Sequence, residues 1–269
     1  MAAHRRHLTV PGGRFTGEVL LRSSRSFDIC AAVDDAGRSV VVKRARHLAG
    51  LDGKRFRREA RLGRSLRHEG LASVLGDAPD WIAFDRLEGS LLDRPEGVPG
   101  LAALTEVAET LAHLHALGVV HRDLKPAHIM FRGGRAVLID LGVAGLVGSE
   151  DPLDAGEIVG SPAWMAPEQM LGAAPAPSAD IWSFSALAHR LLAGRPLHAG
   201  TADAVLEARR TGAEPKPDFS SLADRRLADA LHAGFAAPED RPSARELAEA
   251  LSEAGLRHAG RATTRRAGR

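Results

Sequence analysis

The chain has 269 residues, of which 44% are hydrophobic, and its formal net charge is +2. This composition excludes a disordered polymer, and the mild charge gives no reason to expect nucleic acid as a partner. The single cysteine, Cys30, excludes an internal disulfide and a cysteine-based zinc site, so we expect it to be a small buried hydrophobe.

The first third of the chain predicts a small sheet with one helix. Short apolar runs, with a turn at 35–37, predict strands at Arg14–Leu21, Phe27–Val33, Ser39–Lys43 and Trp81–Leu87. Apolar residues at helical spacing predict a helix from Phe56 to Leu66. Glu59 falls on the apolar face of this helix, where an unpaired charge would be costly. Its carboxylate either reaches water at the edge of that face or pairs with a cation.

From about residue 101 the pattern becomes helical. Helices are predicted at 104–114, Ala179–Ala193 and 243–254. The second is apolar on nearly every face, which is typical of a buried central helix. The third begins at a capping box formed by Ser243 and Glu246. We therefore expect two lobes, at 8–87 and 88–257, followed by a basic tail at 258–269.

Three motifs follow one another in the second lobe. They are His121–Pro126 (HRDLKP), an apolar strand that ends in Asp140-Leu141-Gly142, and Gly160–Glu168 (GSPAWMAPE). In order and spacing they resemble the catalytic loop, the metal-binding Asp-Phe-Gly motif and the Ala-Pro-Glu end of the activation segment in eukaryotic-like serine/threonine protein kinases. The resemblance extends over residues 14–255. It implies an α+β, bilobal protein-kinase fold, with a small antiparallel-sheet lobe containing one helix and a larger, mostly helical lobe.

The resemblance also implies a reaction, the transfer of the γ-phosphate of ATP to a serine or threonine hydroxyl of a protein substrate. Asp123 would orient that hydroxyl and accept its proton, and Lys125 would steady the transferring phosphate. Asp140 would hold Mg²⁺, a hard ion that prefers oxygen ligands. Lys43 would contact the nucleotide phosphates and pair with Glu59.

Further residues match supporting positions of the family. Asp180 would hold the backbone of the catalytic loop, and Glu168 would pair with Arg241. Asp85 ends its strand where the family begins the hinge, which contacts adenine mainly through backbone groups. Arg122 belongs to the type of residue that pairs with a phosphate on the activation segment.

The loop that covers the nucleotide phosphates departs from the family. It normally carries three glycines, which allow sharp bending and close approach to the phosphates, but residues 22–29 contain none. Ile29 keeps the apolar position that follows them and is expected at the ATP site. Phe27 and Asp28 would not help to bind a polyphosphate, so we predict a weakened nucleotide lid.

A second departure is His128, which stands where the family has a metal-binding asparagine. Imidazole suits manganese, zinc or other transition metals better than magnesium. Three interpretations follow: reduced catalysis through Asp140 alone, nucleotide binding without catalysis, or a change of preference towards Mn²⁺.

The activation segment is acidic and contains few hydroxyls. Its acids are Glu150, Asp151, Asp154 and Glu157. One hypothesis is that one of them replaces a phosphate as the partner of Arg122. The alternative is a solvated acidic loop.

Three functions are compatible with this sequence. The retained catalytic set favours a protein kinase, active or weakened, whereas the missing glycines and His128 favour a pseudokinase that regulates a partner protein. A small-molecule phosphotransferase is disfavoured by Lys125, Arg241 and the 161–168 segment, which resemble a platform for protein substrates. No apolar run approaches the about 20 residues that span a bilayer, so we expect no membrane span and a cytoplasmic location.

Overall fold

The computed structural model describes residues 15–91, 100–149, 160–213 and 215–267, with the side chains of the last helix described as far as Arg257. Its first part contains strands β1 (Phe15–Ser23), β2 (Phe27–Asp34), β3 (Ser39–Ala45), β4 (Val74–Ala78) and β5 (Trp81–Asp85). They form one antiparallel sheet in the order β1-β2-β3-β5-β4. The four strands predicted from the sequence are present, but β5 ends at Asp85 rather than Leu87, and Arg14 lies outside the described residues. β4 was not predicted, because Gly76 and Asp77 interrupt its apolar pattern.

Asp34 closes the predicted hairpin between β2 and β3. Its Oδ1 accepts hydrogen bonds from the amides of Ala36 and Arg38, at 3.0 and 2.9 Å. Gly37 completes the turn with φ of 77°, a left-handed conformation that glycine adopts without steric cost.

One face of the sheet is covered by helix α1 (Gly50–Ser65). The register places Ile29, Lys43 and Ile82 side by side across β2, β3 and β5, so their side chains point to the same face. Phe56 of α1 packs against Ile82 there, and both are buried. The helix begins six residues before its predicted start, and Glu59 lies on its buried face.

The second part of the chain is mostly helical. Its helices are α2 (Gly100–Ala116), α3 (Pro167–Met170), α4 (Pro177–Leu192), α5 (Ala202–Arg210), α6 (Arg225–Ala233) and α7 (Ala244–Ala267). Two short antiparallel pairs accompany them: β6 (Val119–Val120) with β9 (Gly145–Leu146), and β7 (Ile129–Arg132) with β8 (Arg135–Leu138). Every residue from Ala179 to His189 is buried, which confirms α4 as a central helix.

The capping box predicted for the last helix is present. Glu246 Oε2 accepts from the Ser243 amide at 2.7 Å, and Ser243 Oγ accepts from the Glu246 amide at 3.2 Å. The prediction that this helix ends near Ala254 and leaves a frayed tail is wrong, because α7 continues to Ala267. Residues 255–267 include four arginines and three alanines, which favour helix, and no proline, so the helix continues despite Gly255 and Gly260.

Taken together, an antiparallel sheet with one helix precedes a mostly helical part, which confirms the predicted α+β class. Cys30 is fully buried, as expected. Within the described ranges, no helix is both long enough and apolar enough to cross a membrane.

Candidate active site

The structure brings Lys43 of β3 and Glu59 of α1 into a buried ion pair. Lys43 Nζ lies 2.5 Å from Glu59 Oε2 and 3.7 Å from Asp140 Oδ1. Burial opposes the charged amine, but the two carboxylates outweigh it and raise the pKa of Lys43. Burial raises the pKa of the Glu59 carboxyl to about 7, against the opposing effect of Lys43. Sheet, helix and Asp140 therefore meet at one ammonium group.

Asp180 fixes the shape of the catalytic loop from inside the second lobe. Its carboxylate, on the first turn of α4, accepts from the amides of His121 at 2.7 Å and Arg122 at 2.8 Å. His115 Nε2 contributes a third contact at 2.9 Å. Burial would raise the pKa of Asp180, but these contacts hold it below its ordinary value. The loop they stabilise includes Arg122 with φ of 68°, an uncommon conformation for a residue with a side chain.

The two carboxylate oxygens of Asp123 differ in their surroundings. Its Oδ2 accepts from Lys125 Nζ at 2.7 Å, and the same Nζ donates to Ser161 Oγ at 2.8 Å. Its Oδ1 is buried, and none of the described residues provides a hydrogen-bond donor to it. A buried acceptor without a partner is costly unless a ligand supplies the donor.

Asp140 and His128 face each other across a short gap. His128 Nδ1 lies 2.9 Å from the carbonyl oxygen of Asp123. A carbonyl can only accept, so Nδ1 carries the proton and Nε2 keeps its lone pair. Nε2 lies 3.6 Å from Asp140 Oδ2. Burial lowers the pKa of His128 to about 4, so the ring is neutral near pH 7.

The carboxylate of Asp140 stays ionised. Burial alone would raise its pKa, but the Lys43 ammonium and the hydrogen bond from the Gly142 amide hold it well below its ordinary value. Asp140 has φ of 66°, which turns its side chain towards Lys43 and His128. Over the described ranges, no group of three or more His, Cys, Asp or Glu side chains is placed to hold an ion. An ion between Asp140 and His128 would therefore need further oxygens from a bound ligand.

Glu168 and Arg241 form a second ion pair, remote from this centre, in which the arginine side chain is buried and the glutamate is half-buried. Arg241 Nη1 and Nη2 donate to the two oxygens of Glu168 at 2.5 and 3.0 Å. The same guanidinium donates to the carbonyl oxygens of Ser178 and Ala236, both at 2.9 Å, and it packs 5.1 Å from the ring centroid of Trp182. Arg241 thus connects Glu168, at the end of the activation segment, with α4 and with the loop before α7.

The remaining predicted residues lie on the sheet and its exit. Ile29 is half-buried beside Lys43 in the register of β2 and β3. The side chain of Asp85 is engaged within the protein, accepting from the Ser73 amide at 2.7 Å and from the guanidinium of Arg132. Its amide is engaged as well, since it donates to the Ser73 carbonyl oxygen at 3.1 Å. The acids proposed as partners of Arg122, from Glu150 to Glu157, lie outside the described residues.

Sequence reasoning missed how the glycine-free lid is built. Ser24 closes its turn, since Phe27 N donates to Ser24 Oγ at 3.0 Å and Ser24 N donates to the Phe27 carbonyl at 2.8 Å. Asp28 was expected not to help to bind a polyphosphate, and in the structure Arg46 binds both of its oxygens at 2.8 and 3.0 Å. That hydrogen bonding lowers the pKa of Asp28 and partly neutralises its charge. No signal in the sequence pairs Asp28 with a residue 18 positions away.

Comparison with known proteins identifies the second part of the chain. The family model described as the protein kinase domain matches residues 99–250, more than half of the chain. The chain is 35% identical over 180 residues to serine/threonine-protein kinase pkn2 of Myxococcus xanthus, covering 59% of this chain and 22% of that protein. It is 35% identical over 187 residues to PkaA of Streptomyces coelicolor, covering 67% and 33%. With PknA of Mycobacterium tuberculosis, identity is 29% over 226 residues, covering 76% and 52%. The chain thus spans about a fifth to a half of the length of these curated relatives, which are all named serine/threonine-protein kinases.

Proposed function

Because the chain belongs to the protein kinase domain family, we propose that it transfers the γ-phosphate of ATP to a serine or threonine hydroxyl of a protein. The observation that carries this proposal is the state of Asp123. One oxygen is held by Lys125, and the other is buried and has no donor among the residues that the structure describes. A substrate hydroxyl donating to Oδ1 would satisfy that acceptor and be placed for deprotonation.

The residues account for each part of the transfer. The substrate oxygen attacks the γ-phosphorus, the bond from that phosphorus to the β,γ-bridging oxygen breaks, and ADP leaves with the electron pair. Asp123 Oδ1 accepts the proton of the hydroxyl, and Lys125 Nζ, 2.7 Å from Oδ2, places a positive charge beside the transferring group. Lys43 would contribute charge to the nucleotide phosphates, positioned by Glu59.

The donor set also fits a divalent cation. Asp140 offers an ionised oxygen and His128 Nε2 offers a lone pair 3.6 Å away. Two ligand atoms that each lie about 2.1 Å from one ion are separated from each other by a distance close to that between Nε2 and Oδ2. Both could therefore bind the same cation. When bound, such an ion would neutralise phosphate charge. A mixed nitrogen and oxygen pair favours Mn²⁺ over Mg²⁺ relative to an all-oxygen pair.

The proposal is tested by incubating the purified chain with γ-labelled ATP and a generic basic protein, with Asp123→Asn as the control. We expect label on serine or threonine, and a loss of at least about 100-fold in the variant, since loss of a general base typically costs that much. Equal label with both proteins would indicate a contaminating enzyme. The assay is run once with Mg²⁺ and once with Mn²⁺. Absence of label from folded native protein with both ions would contradict the proposal and favour the pseudokinase alternative, in which the chain regulates a partner.

His128→Asn tests the metal preference. We expect the ratio of Mn²⁺-supported to Mg²⁺-supported rates to fall by about tenfold, because the variant replaces a nitrogen ligand by an amide oxygen. Binding of Mn²⁺ in the presence of ATP, followed by the paramagnetic resonance of the free ion, should weaken in parallel. His198→Asn is the control, because His198 is also buried but lies near Arg209, away from Asp140. An unchanged ratio would show that His128 is not a ligand.

A further inference from the structure

Phe27 stands in the lid at a position where the family has a glycine, and its ring points inward. Phe27 and Ile29 are two residues apart on β2, so both face α1 together with Lys43. The ring stacks on Phe56 of α1, with centroids 5.8 Å apart and planes inclined by 15°. This separation lies within the range of favourable aromatic pairs.

The same ring carries the ammonium group of Lys43 on its face. Lys43 Nζ lies 4.8 Å from the centroid of Phe27, inside the roughly 6 Å limit of a cation–π contact. The lysine side chain is 12% exposed, so little water screens the attraction. Three groups therefore surround this ammonium: Glu59, Asp140 and the Phe27 ring.

A second contact joins the lid to the same helix. Ser26 Oγ donates to the carboxylate of Asp52 in the first turn of α1. The turn that presents Phe27 is closed by Ser24, and the amide of Arg46 donates to the Ser26 carbonyl at 2.8 Å. The ring is thus held from the turn on one side and from Phe56 on the other.

We propose that Phe27 is a positioning residue that orients Lys43 towards Glu59 and Asp140 and couples the lid to α1. In a lid with glycines the backbone approaches the nucleotide, and no side chain from those positions can reach the lysine. Here the Phe27 side chain contacts both Lys43 of β3 and Phe56 of α1, the helix that carries Glu59. The proposal concerns the site of the proposed kinase reaction, but the placement of Lys43 can be measured without catalysis.

The first experiment measures the reactivity of Lys43 in the nucleotide-free protein. Trace acetic anhydride would label its lysines, and the ratio of Lys43 to the exposed Lys54 would be read by mass spectrometry. In Phe27→Leu this ratio is expected to rise roughly three- to tenfold, the size of a partly desolvated cation–π contact. Phe27→Trp should preserve the protection, because tryptophan is the strongest cation–π partner.

Phe15→Leu is the matched control. Phe15 is partly buried in the same sheet and packs edge-on against Trp81 at 5.0 Å, within a separate cluster that does not include Lys43. We expect the labelling ratio in this variant to stay at the native value. An equal increase of the labelling ratio in Phe27→Leu and Phe15→Leu would show that loosened packing alone exposes Lys43, and it would overturn the proposal.

A proton NMR measurement distinguishes direct contact between the Phe27 ring and Lys43 from a change in the accessibility of Lys43 to solvent. A ring above the lysine shifts its ε-methylene protons upfield, so the Lys43 signal in native protein should be displaced and should return to an ordinary position in Phe27→Leu only. ATP binding should weaken in that variant by about three- to tenfold. Tighter ATP binding would show that the ring obstructs the phosphate site, and an undisplaced native signal would show that it does not lie over Lys43; either result overturns the proposal. The labelling and spectroscopic results stand even if no phosphate transfer is detected.

Discussion

Lys43→Met is expected to abolish phosphate transfer and to destabilise the fold at neutral pH. Removing a preorganised cation from phosphate chemistry costs at least about 100-fold in rate. The variant also leaves Glu59, which is 4% exposed, as an unpaired buried carboxylate. Removing one partner of a buried ion pair costs about 3–5 kcal/mol. Denaturant titration and the labelled-ATP assay measure the two effects separately.

The destabilisation should depend on pH in a defined direction. The pKa of Glu59 is already raised by burial from its ordinary 4.5 to about 7, and without Lys43 nothing opposes this rise except hydration. A carboxyl with a raised folded-state pKa binds more protons in the folded than in the unfolded chain, so stability falls as pH rises above 4.5. The variant should therefore lose up to about 1.4 kcal/mol per pH unit between pH 5 and pH 7.

A double variant distinguishes stability from chemistry. In Lys43→Met/Glu59→Leu the buried charges are replaced by apolar groups, which is often neutral for stability. We expect unfolding free energy within about 1 kcal/mol of the native value, no pH dependence from this pair, and no recovered activity. Recovery of activity together with stability would show that Lys43 acts only through the fold.

Arg241→Ala should cost about 3–5 kcal/mol of unfolding free energy, the largest stability loss that we expect outside the catalytic centre. The arginine side chain is 2% exposed, and its removal leaves Glu168 and two carbonyl oxygens without their donor. The ring of Trp182 would also lose a cation contact. Equilibrium unfolding in guanidinium chloride gives the difference.

Arg195→Ala provides the comparison for that prediction. Arg195 pairs with Asp218 at 3.3 Å, but both side chains are more than half exposed. An exposed pair contributes little, so the change should stay within about 0.5 kcal/mol. A loss below about 1 kcal/mol in Arg241→Ala would mean that the Arg241–Glu168 pair does not stabilise the fold.

Most of the fold could be predicted because its signals are local. Short apolar runs predicted the four strands β1, β2, β3 and β5, and the capping box predicted the start of α7. The resemblance carried by the three motifs implied roles for Asp123 and Asp140 in one reaction, and in the structure both carboxylates lie near His128. β4 escaped detection, since five residues containing glycine and aspartate form a strand only where a neighbouring strand offers a ladder.

The parts of the site that could not be predicted depend on long-range contacts. Asp28 looked unfavourable because its partner Arg46 follows β3, 18 positions later, and Phe27 looked merely bulky because Phe56 lies on a helix 29 positions later. The tautomer of His128 follows from one backbone carbonyl, which no sequence pattern reports. Residue identities defined which groups are present, whereas their charge states and orientations arise from packing.

The anchoring of the catalytic loop by Asp180 has a consequence for motion. A surface loop ordinarily opens locally, at a small fraction of the global free energy of unfolding. Here two consecutive loop amides end on a carboxylate that belongs to the most buried helix of the second lobe. Releasing them would leave His115 alone of the three partners of this buried carboxylate, so opening of the loop carries the cost of an undersatisfied charge in the interior. The segment that carries Asp123 therefore moves with the rigid core rather than with the surface.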